Sequence, residues 1–94
     1  MMTKLEKQIE AWHDKSYGPD VNKAATYRKL LEEVGELGEA IMLDDAVAIA
    51  DESGDVGFVL AHIVRACCPD NPSLVGVIKE ALEKCETRRR FQRR

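Results

Sequence analysis

Between Lys29 and Arg65 the chain carries nine carboxylates, Glu32, Glu33, Glu36, Glu39, Asp44, Asp45, Asp51, Glu52 and Asp55, and not one lysine or arginine. A helix whose acids merely face water usually interleaves the two signs at i,i+4 spacing, because like charges at that distance destabilise it. Crowded carboxylates repel, raise one another's pKa and cost stability unless a cation settles among them. The simplest counter-charge for so many oxygens is a hard divalent ion such as Mg²⁺. The alternative is a set of independently solvated acids on good helix formers.

The apolar residues around this acidic stretch recur with helical period. From about Thr3 to Lys15 they are Leu5, Ile9 and Trp12, and Ser16-Tyr17-Gly18-Pro19-Asp20 then breaks the pattern with turn residues. A second helix is predicted from about Asn22 to Met42, with an inward stripe of Leu30, Val34, Leu37 and Ile41. That register puts Glu32, Glu36 and Glu39 on the opposite side and Glu33 on the flank. Asp44 and Asp45 resemble an N-terminal cap for a third helix, Ala46 to Cys67, with Val56, Val59, Leu60 and Ile63 in contact positions. Pro69-Asp70-Asn71-Pro72 is a stop, and Ser73 can cap a fourth helix running through Leu74, Val77, Ile78, Ala81 and Leu82 into a basic tail. The fold class this describes is all-α: an antiparallel four-helix bundle, completed by homo-oligomerisation because the apolar faces are wide enough to need covering on more than one side.

Ninety-four residues make one domain, 1–94, whose basic tail occupies about 88–94. No apolar run approaches the ~20 residues of a membrane span, and nothing resembles a signal peptide, so a cytoplasmic protein without a membrane partner is expected. The three cysteines (Cys67, Cys68, Cys85) fit neither a disulfide framework nor a zinc spacing and are expected reduced and mostly buried. The net charge of −3 hides an asymmetry, since Lys84, Arg88, Arg89, Arg90, Arg93 and Arg94 cluster at the end. One short basic cluster on an acidic domain is a weak footprint for nucleic acid, and solvated tail charge is its ordinary reading.

Residues three apart on a helix are surface neighbours, so Glu33 with Glu36 forms one pincer and Glu52 with Asp55 a second. If the second and third helices pack antiparallel, the pincers face each other and offer four carboxylates to one or two octahedral, oxygen-loving ions that keep room for phosphate oxygens. Absence of histidine from both argues against a di-iron site. Gly35, Gly38, Gly54 and Gly57, threaded among the acids, each cost on the order of 1 kcal/mol against alanine, which suggests close approach of a neighbouring helix or a ligand. No other nucleophile is evident: Ser53 lacks a neighbouring base and the thiols lack a motif. His62, without a second histidine nearby in sequence, reads as packing.

The run Lys29-Leu30-Leu31-Glu32-Glu33-Val34-Gly35-Glu36-Leu37, with Asp51-Glu52-Ser53-Gly54-Asp55-Val56, resembles the E-E-x-x-E and E-x-x-D signature of the all-α nucleoside triphosphate pyrophosphohydrolases, the MazG-like family. The resemblance covers roughly positions 5 to 90. It implies Glu33, Glu36, Glu52 and Asp55 as Mg²⁺ ligands, with Mn²⁺ as a possible substitute, and Glu32 behind them or orienting the attacking water. It also implies cleavage of a nucleoside triphosphate between the α and β phosphates, to monophosphate and pyrophosphate, by a homodimer or tetramer whose sites combine helices of two chains. Lys84 and Arg88, an i,i+4 pair late in the chain, are candidates for the β and γ phosphates, although Cys85 stands where relatives often carry asparagine. Trp12, with His13 and Tyr17, precedes the turn into the second helix, where an aromatic can stack on a base; packing is the other role open to it. The role implied is nucleotide-pool cleaning. The alternatives are a phosphoribosyl-ATP pyrophosphohydrolase, which would call for further basic residues near the acidic helices, and a non-catalytic helical adaptor.

Overall fold

A computed structural model describes residues 2–18 and 21–92, with side chains up to residue 88. The Pro19-Asp20 part of the predicted turn and the side chains of the tail from Arg89 to Arg94 lie outside the described residues. Every described element is helical: α1 (Lys4–Tyr17), α2 (Lys23–Met42), α3 (Ala46–Cys67) and α4 (Leu74–Gln92).

Each helix begins where a side chain can accept from its unpaired amides. Thr3 caps α1 through a reciprocal box, its Oγ1 accepting from the Glu6 amide at 3.1 Å while Glu6 Oε1 accepts from the Thr3 amide at 3.2 Å. Asn22 caps α2, accepting from Ala25 at 3.0 Å, and Asp45 caps α3, accepting from Ala48 at 3.1 Å. Ser73 Oγ accepts from the Gly76 amide at 3.0 Å as α4 starts. α1 stops at Gly18, whose φ of 79° is open to glycine and strained for other residues.

Helices α2 and α3, joined by Leu43-Asp44-Asp45, form a hairpin that is the most extensive contact in the molecule. The inward face of α2 differs from the predicted stripe. It runs Leu30, Glu33, Leu37 and Ala40, with Glu33 and Ala40 buried, whereas Val34 and Ile41 are about half exposed at 48% and 54%. Glu33 is therefore not on the flank: at 6% exposure it is part of the interface. The helix is rotated so that an acid faces α3, which brings Glu33 and Glu36 close to Glu52. On α3, Val59 is buried and Val56, Leu60 and Ile63 are partly covered, as the spacing predicts.

The N-terminal helix crosses α3 and is tied to it by Arg65, whose guanidinium donates to Glu10 at 2.8 Å and to Asp14 at 3.0 Å. Glu6 ties the same helix to α4: its Oε1 accepts from Ser73 Oγ at 2.9 Å and its Oε2 from the Leu74 amide at 2.6 Å. One carboxylate thus serves two helix starts, and Ser73 is fully buried beneath it.

The rest of α4 is largely exposed, with Val75, Ile78 and Leu82 each more than half open. The buried hydrophobic residues are Ala40, Val59, Ala61 and Val64 among those described. The radius of gyration is 15.5 Å, against about 12 Å for a compact domain of this length. A single chain is thus an open helical assembly rather than a closed bundle.

Two smaller expectations are not met within this chain. A Cβ placed on Gly35, Gly38, Gly54 or Gly57 would meet nothing within 4 Å, so no close approach within this chain accounts for them. The cysteines are free, but Cys67 and Cys85 are exposed and Cys68 is half-buried, because they fall on the C-terminal end of α3 and on the outer part of α4.

Burial pushes the Glu6 carboxyl up, but the hydrogen bonds from Ser73, Thr3 and Leu74 outweigh it and hold the group below the usual carboxylate range. With a folded pKa below the unfolded one, its contribution is complete above the unfolded value of about 4.3 and disappears as pH falls through the folded value. Glu6→Ala is expected to cost about 2–4 kcal/mol at neutral pH, measured by urea unfolding, and to flatten the loss of stability on acidification. A variant as stable as the parent would show that the two helix starts do not depend on this carboxylate.

Candidate active site

Along α2 the side chains Asn22, Thr26, Lys29 and Glu33 line one side of a cleft of about 680 Å³; α3 supplies Asp55, Phe58, Val59 and His62, and α1 supplies Trp12, His13 and Tyr17. The α2 spacings of four, three and four, and the α3 run Asp55, Phe58, His62, are helical stripes that begin at the acidic pincers and lead away from them. The cleft consequently has an acidic end and an aromatic end.

The aromatic end is one connected cluster. Trp12 makes edge contacts with His13, Tyr17 and Phe58 at ring-centre distances of 5.1, 5.7 and 5.3 Å. His13 is buried, its Nδ1 lies 3.1 Å from the Ile9 carbonyl, and its ring stacks on His62 at 4.0 Å with the planes 7° apart. Burial, together with the charge of His13 and Arg65, holds the His62 pKa below its ordinary value. Trp12 itself is 47% exposed, which leaves part of the indole open.

At the acidic end, Glu33, Glu36 and Glu52 each offer one oxygen within 4.8 Å of the others, and Asp51, Glu52 and Asp55 do the same. Glu52 belongs to both groups and so links the α2 pincer to the α3 pincer. Burial first, then the neighbouring Glu36, Asp55 and Asp51, push the Glu52 carboxyl up. Two buried oxygens, Glu33 Oε2 and Glu52 Oε2, have no hydrogen-bond partner. Buried carboxylate oxygens without donors are costly unless a cation meets them, and an all-oxygen donor set without sulfur or nitrogen suits Mg²⁺ or Mn²⁺. The residues present fit a hard divalent ion.

The acids are not wholly without a basic partner. Lys29, at the edge of the acidic stretch, reaches Glu33 Oε1 at 2.8 Å and lies 3.9 Å from Glu32. Glu32 itself is well exposed, with its side chain 66% open. Lys84 and Arg88 are exposed on α4 and do not line the cleft of their own chain.

Reading the sequence for charge alone missed Lys29, Phe58, Thr26 and the role of His62. The signal was present as the two stripes, since each missed residue is three, four or seven positions from a pincer acid or from another residue on the same face.

Residues 22–91 match the family model of the MazG nucleotide pyrophosphohydrolase domain, so α1 lies outside the matched span. No curated protein and no solved structure matches the chain. The matched span takes in both pincers, the hairpin that brings them together and most of α4, and on that extent the chain belongs to the MazG nucleotide pyrophosphohydrolase domain family.

Proposed function

We propose that this protein is a Mg²⁺-dependent hydrolase that cleaves ribo- or deoxyribonucleoside triphosphates between the α and β phosphates, releasing monophosphate and pyrophosphate in the cytoplasm as a nucleotide-pool housekeeping activity. The observation that carries this reading is the buried, unpartnered Oε2 of Glu33, beside Glu36 and Glu52 at one end of a cleft whose other end is aromatic. A nucleotide has the same polarity, a flat apolar base at one end and an anionic chain at the other.

Glu33, Glu36, Glu52 and Asp55 hold the cation on this reading. The chemistry these residues would gain from a bound divalent ion is positive charge to offset that developing on the leaving pyrophosphate. Trp12 and Phe58 bound the apolar end and give the base a surface to lie against. Glu32, beside Glu33 and exposed, is free to orient the attacking water. Lys84 and Arg88 reach phosphates only if they come from a neighbouring copy, since they lie outside the cleft of their own chain.

A homo-oligomer is supported by what the chain leaves uncovered. Ile41, Met42, Leu43 and Val47 at the tip of the hairpin are 54%, 85%, 78% and 82% exposed. Apolar area so contiguous in sequence on a small domain is characteristic of an interface. Light scattering at micromolar concentration is expected to give a dimer or tetramer; a stable, active monomer would contradict it.

Incubation with a panel of nucleoside triphosphates is expected to release monophosphate and pyrophosphate only with Mg²⁺ or Mn²⁺. Production of diphosphate and orthophosphate, or undiminished turnover in excess EDTA, would reject the mechanism.

Glu36→Gln and Asp55→Asn each keep the side-chain shape and remove a charge from the cluster. Turnover is expected to fall by about 100-fold or more, the upper end of what loss of a supporting group costs at metal sites. Metal-free melting temperatures should be unchanged or raised because repulsion is relieved, and the rise produced by Mg²⁺ should shrink. Variants that gain as much from Mg²⁺ as the parent, and turn over as fast, would remove these acids from the ligand set.

A further inference from the structure

We infer that Lys29 is a substrate-binding residue, whose ammonium holds Glu33 in the metal-free protein and turns to the α-phosphate of the nucleotide once a divalent cation has taken that carboxylate. The inference rests on the functional reading above and adds to it a residue that the acidic signature does not contain.

Among the described residues that line the cleft, Lys29 is the one lysine or arginine. Its ammonium sits 2.8 Å from Glu33 Oε1, and the Lys29 side chain is 57% exposed while that of Glu33 is 8% exposed. Helix propensity does not account for the pair, since lysine preceding glutamate by four residues is the less favourable order. What the contact does provide is a counter-charge for a buried carboxylate that would otherwise have none. A divalent ion at the unpartnered Glu33 Oε2 supplies that counter-charge more strongly and repels the ammonium, so one binding event both weakens the hold on Lys29 and brings in the charge that displaces it.

Where the ammonium can go follows from its place along α2. Lys29 is about one helical turn, ~5.4 Å, from Glu33 toward Thr26 and the aromatic end. A nucleotide lying with its base on the aromatic cluster and its leaving pyrophosphate by the acids places the α-phosphate, which joins the two, at that level. The flexible four-carbon stem lets the head move between carboxylate and phosphate without any change in the backbone. The same ammonium therefore screens the cleft against acid repulsion of the substrate and positions the phosphorus that is attacked.

Because the α-phosphate remains on the monophosphate product, the contact is measurable without turnover. Calorimetry at pH 8 on the full chain, with Mg²⁺ alone and then with dCMP, dUMP, dAMP, dGMP and inorganic pyrophosphate in saturating Mg²⁺, compares the parent with Lys29→Met and Lys29→Arg. Lys29→Met is expected to bind Mg²⁺ alone about fivefold more tightly, since a competing and repelling charge is gone. It is expected to bind the monophosphate that the parent prefers about 10- to 100-fold more weakly, the loss of a charge-assisted hydrogen bond, with pyrophosphate affinity unchanged. Lys29→Arg should retain the parent's monophosphate affinity. Unchanged monophosphate binding by Lys29→Met, equal weakening of monophosphate and pyrophosphate, or weaker Mg²⁺ binding would each overturn the inference. Should Lys29→Met not fold without metal, Lys29→Gln, which keeps a neutral hydrogen-bond donor near Glu33, reads the same three affinities. A parent that binds neither Mg²⁺ nor any monophosphate would reject the functional reading itself, a result distinct from all of these.

Discussion

A carboxylate at 6% exposure sits in the main helix–helix interface of this protein, and much else follows from it. An uncompensated buried charge costs several kcal/mol, and Glu33 is only half compensated, with Lys29 on one oxygen and nothing on the other. Turning α2 so that Glu33 faces α3 brings Glu36 to Glu52 and assembles the cluster. The same rotation carries Val34 and Ile41 out of the hairpin. The acidic site and the uncovered apolar surface are therefore two results of one choice of helix face, and a chain that buried its longest aliphatic stripe would have lost the site.

The cleft depends equally on a helix beyond the matched span. Its aromatic wall hangs on α1, which carries Trp12, His13 and Tyr17 and is fixed at both ends by charge-assisted hydrogen bonds: Glu6 to the start of α4, and Glu10 and Asp14 to Arg65. The stacked His13 and His62 rings join the C-terminal parts of α1 and α3. Position and orientation of the wall are thus set by polar contacts around a small apolar core. Acids are supplied by the hairpin and ring surfaces by α1 together with α3, so the two ends of the cleft can vary independently in sequence.

Helix starts were legible because caps encode them locally, Thr3, Asn22, Asp45 and Ser73 each beginning a helix, whereas α1 runs on through Ser16 and Tyr17, which read as turn residues, to Gly18. The pairing of Glu33 and Glu36 with Glu52 was legible because helical spacing and a short connection leave few other arrangements. The inward face of α2 was not. Leu30, Val34, Leu37 and Ile41 form the more regular apolar series, yet Glu33 is turned inward, an arrangement that the acids on the facing helix penalise unless a cation lies among them. Lys29 was hidden by its position at the boundary of the acidic stretch, and His62 because its stacking partner is on a distant helix. The Lys29–Glu33 pair is a local i,i+4 contact whose meaning depends on Glu33 being buried, and the His13–His62 stack is a tertiary contact that no window of local sequence contains.

On the reading advanced above, assembly and metal loading are linked by the same arithmetic. The four buried apolar residues among those described, two of them alanine, contribute little hydrophobic stabilisation, at roughly 25 cal/mol for each Å² of apolar surface removed from water. Against this stand the entropy of ordering four helices and the repulsion among acids at the site. A lone, metal-free chain is therefore short of favourable contacts in two places at once, the exposed apolar tip of the hairpin and the cluster of carboxylates. On the reading advanced above, a second copy covers the first and a divalent cation neutralises the second, and each stabilises the fold by mass action. Both features lie on the hairpin, so on that same reading an event that stabilises it through one would lower the cost of the other, and metal loading and self-association would be positively coupled without any contact between metal and interface.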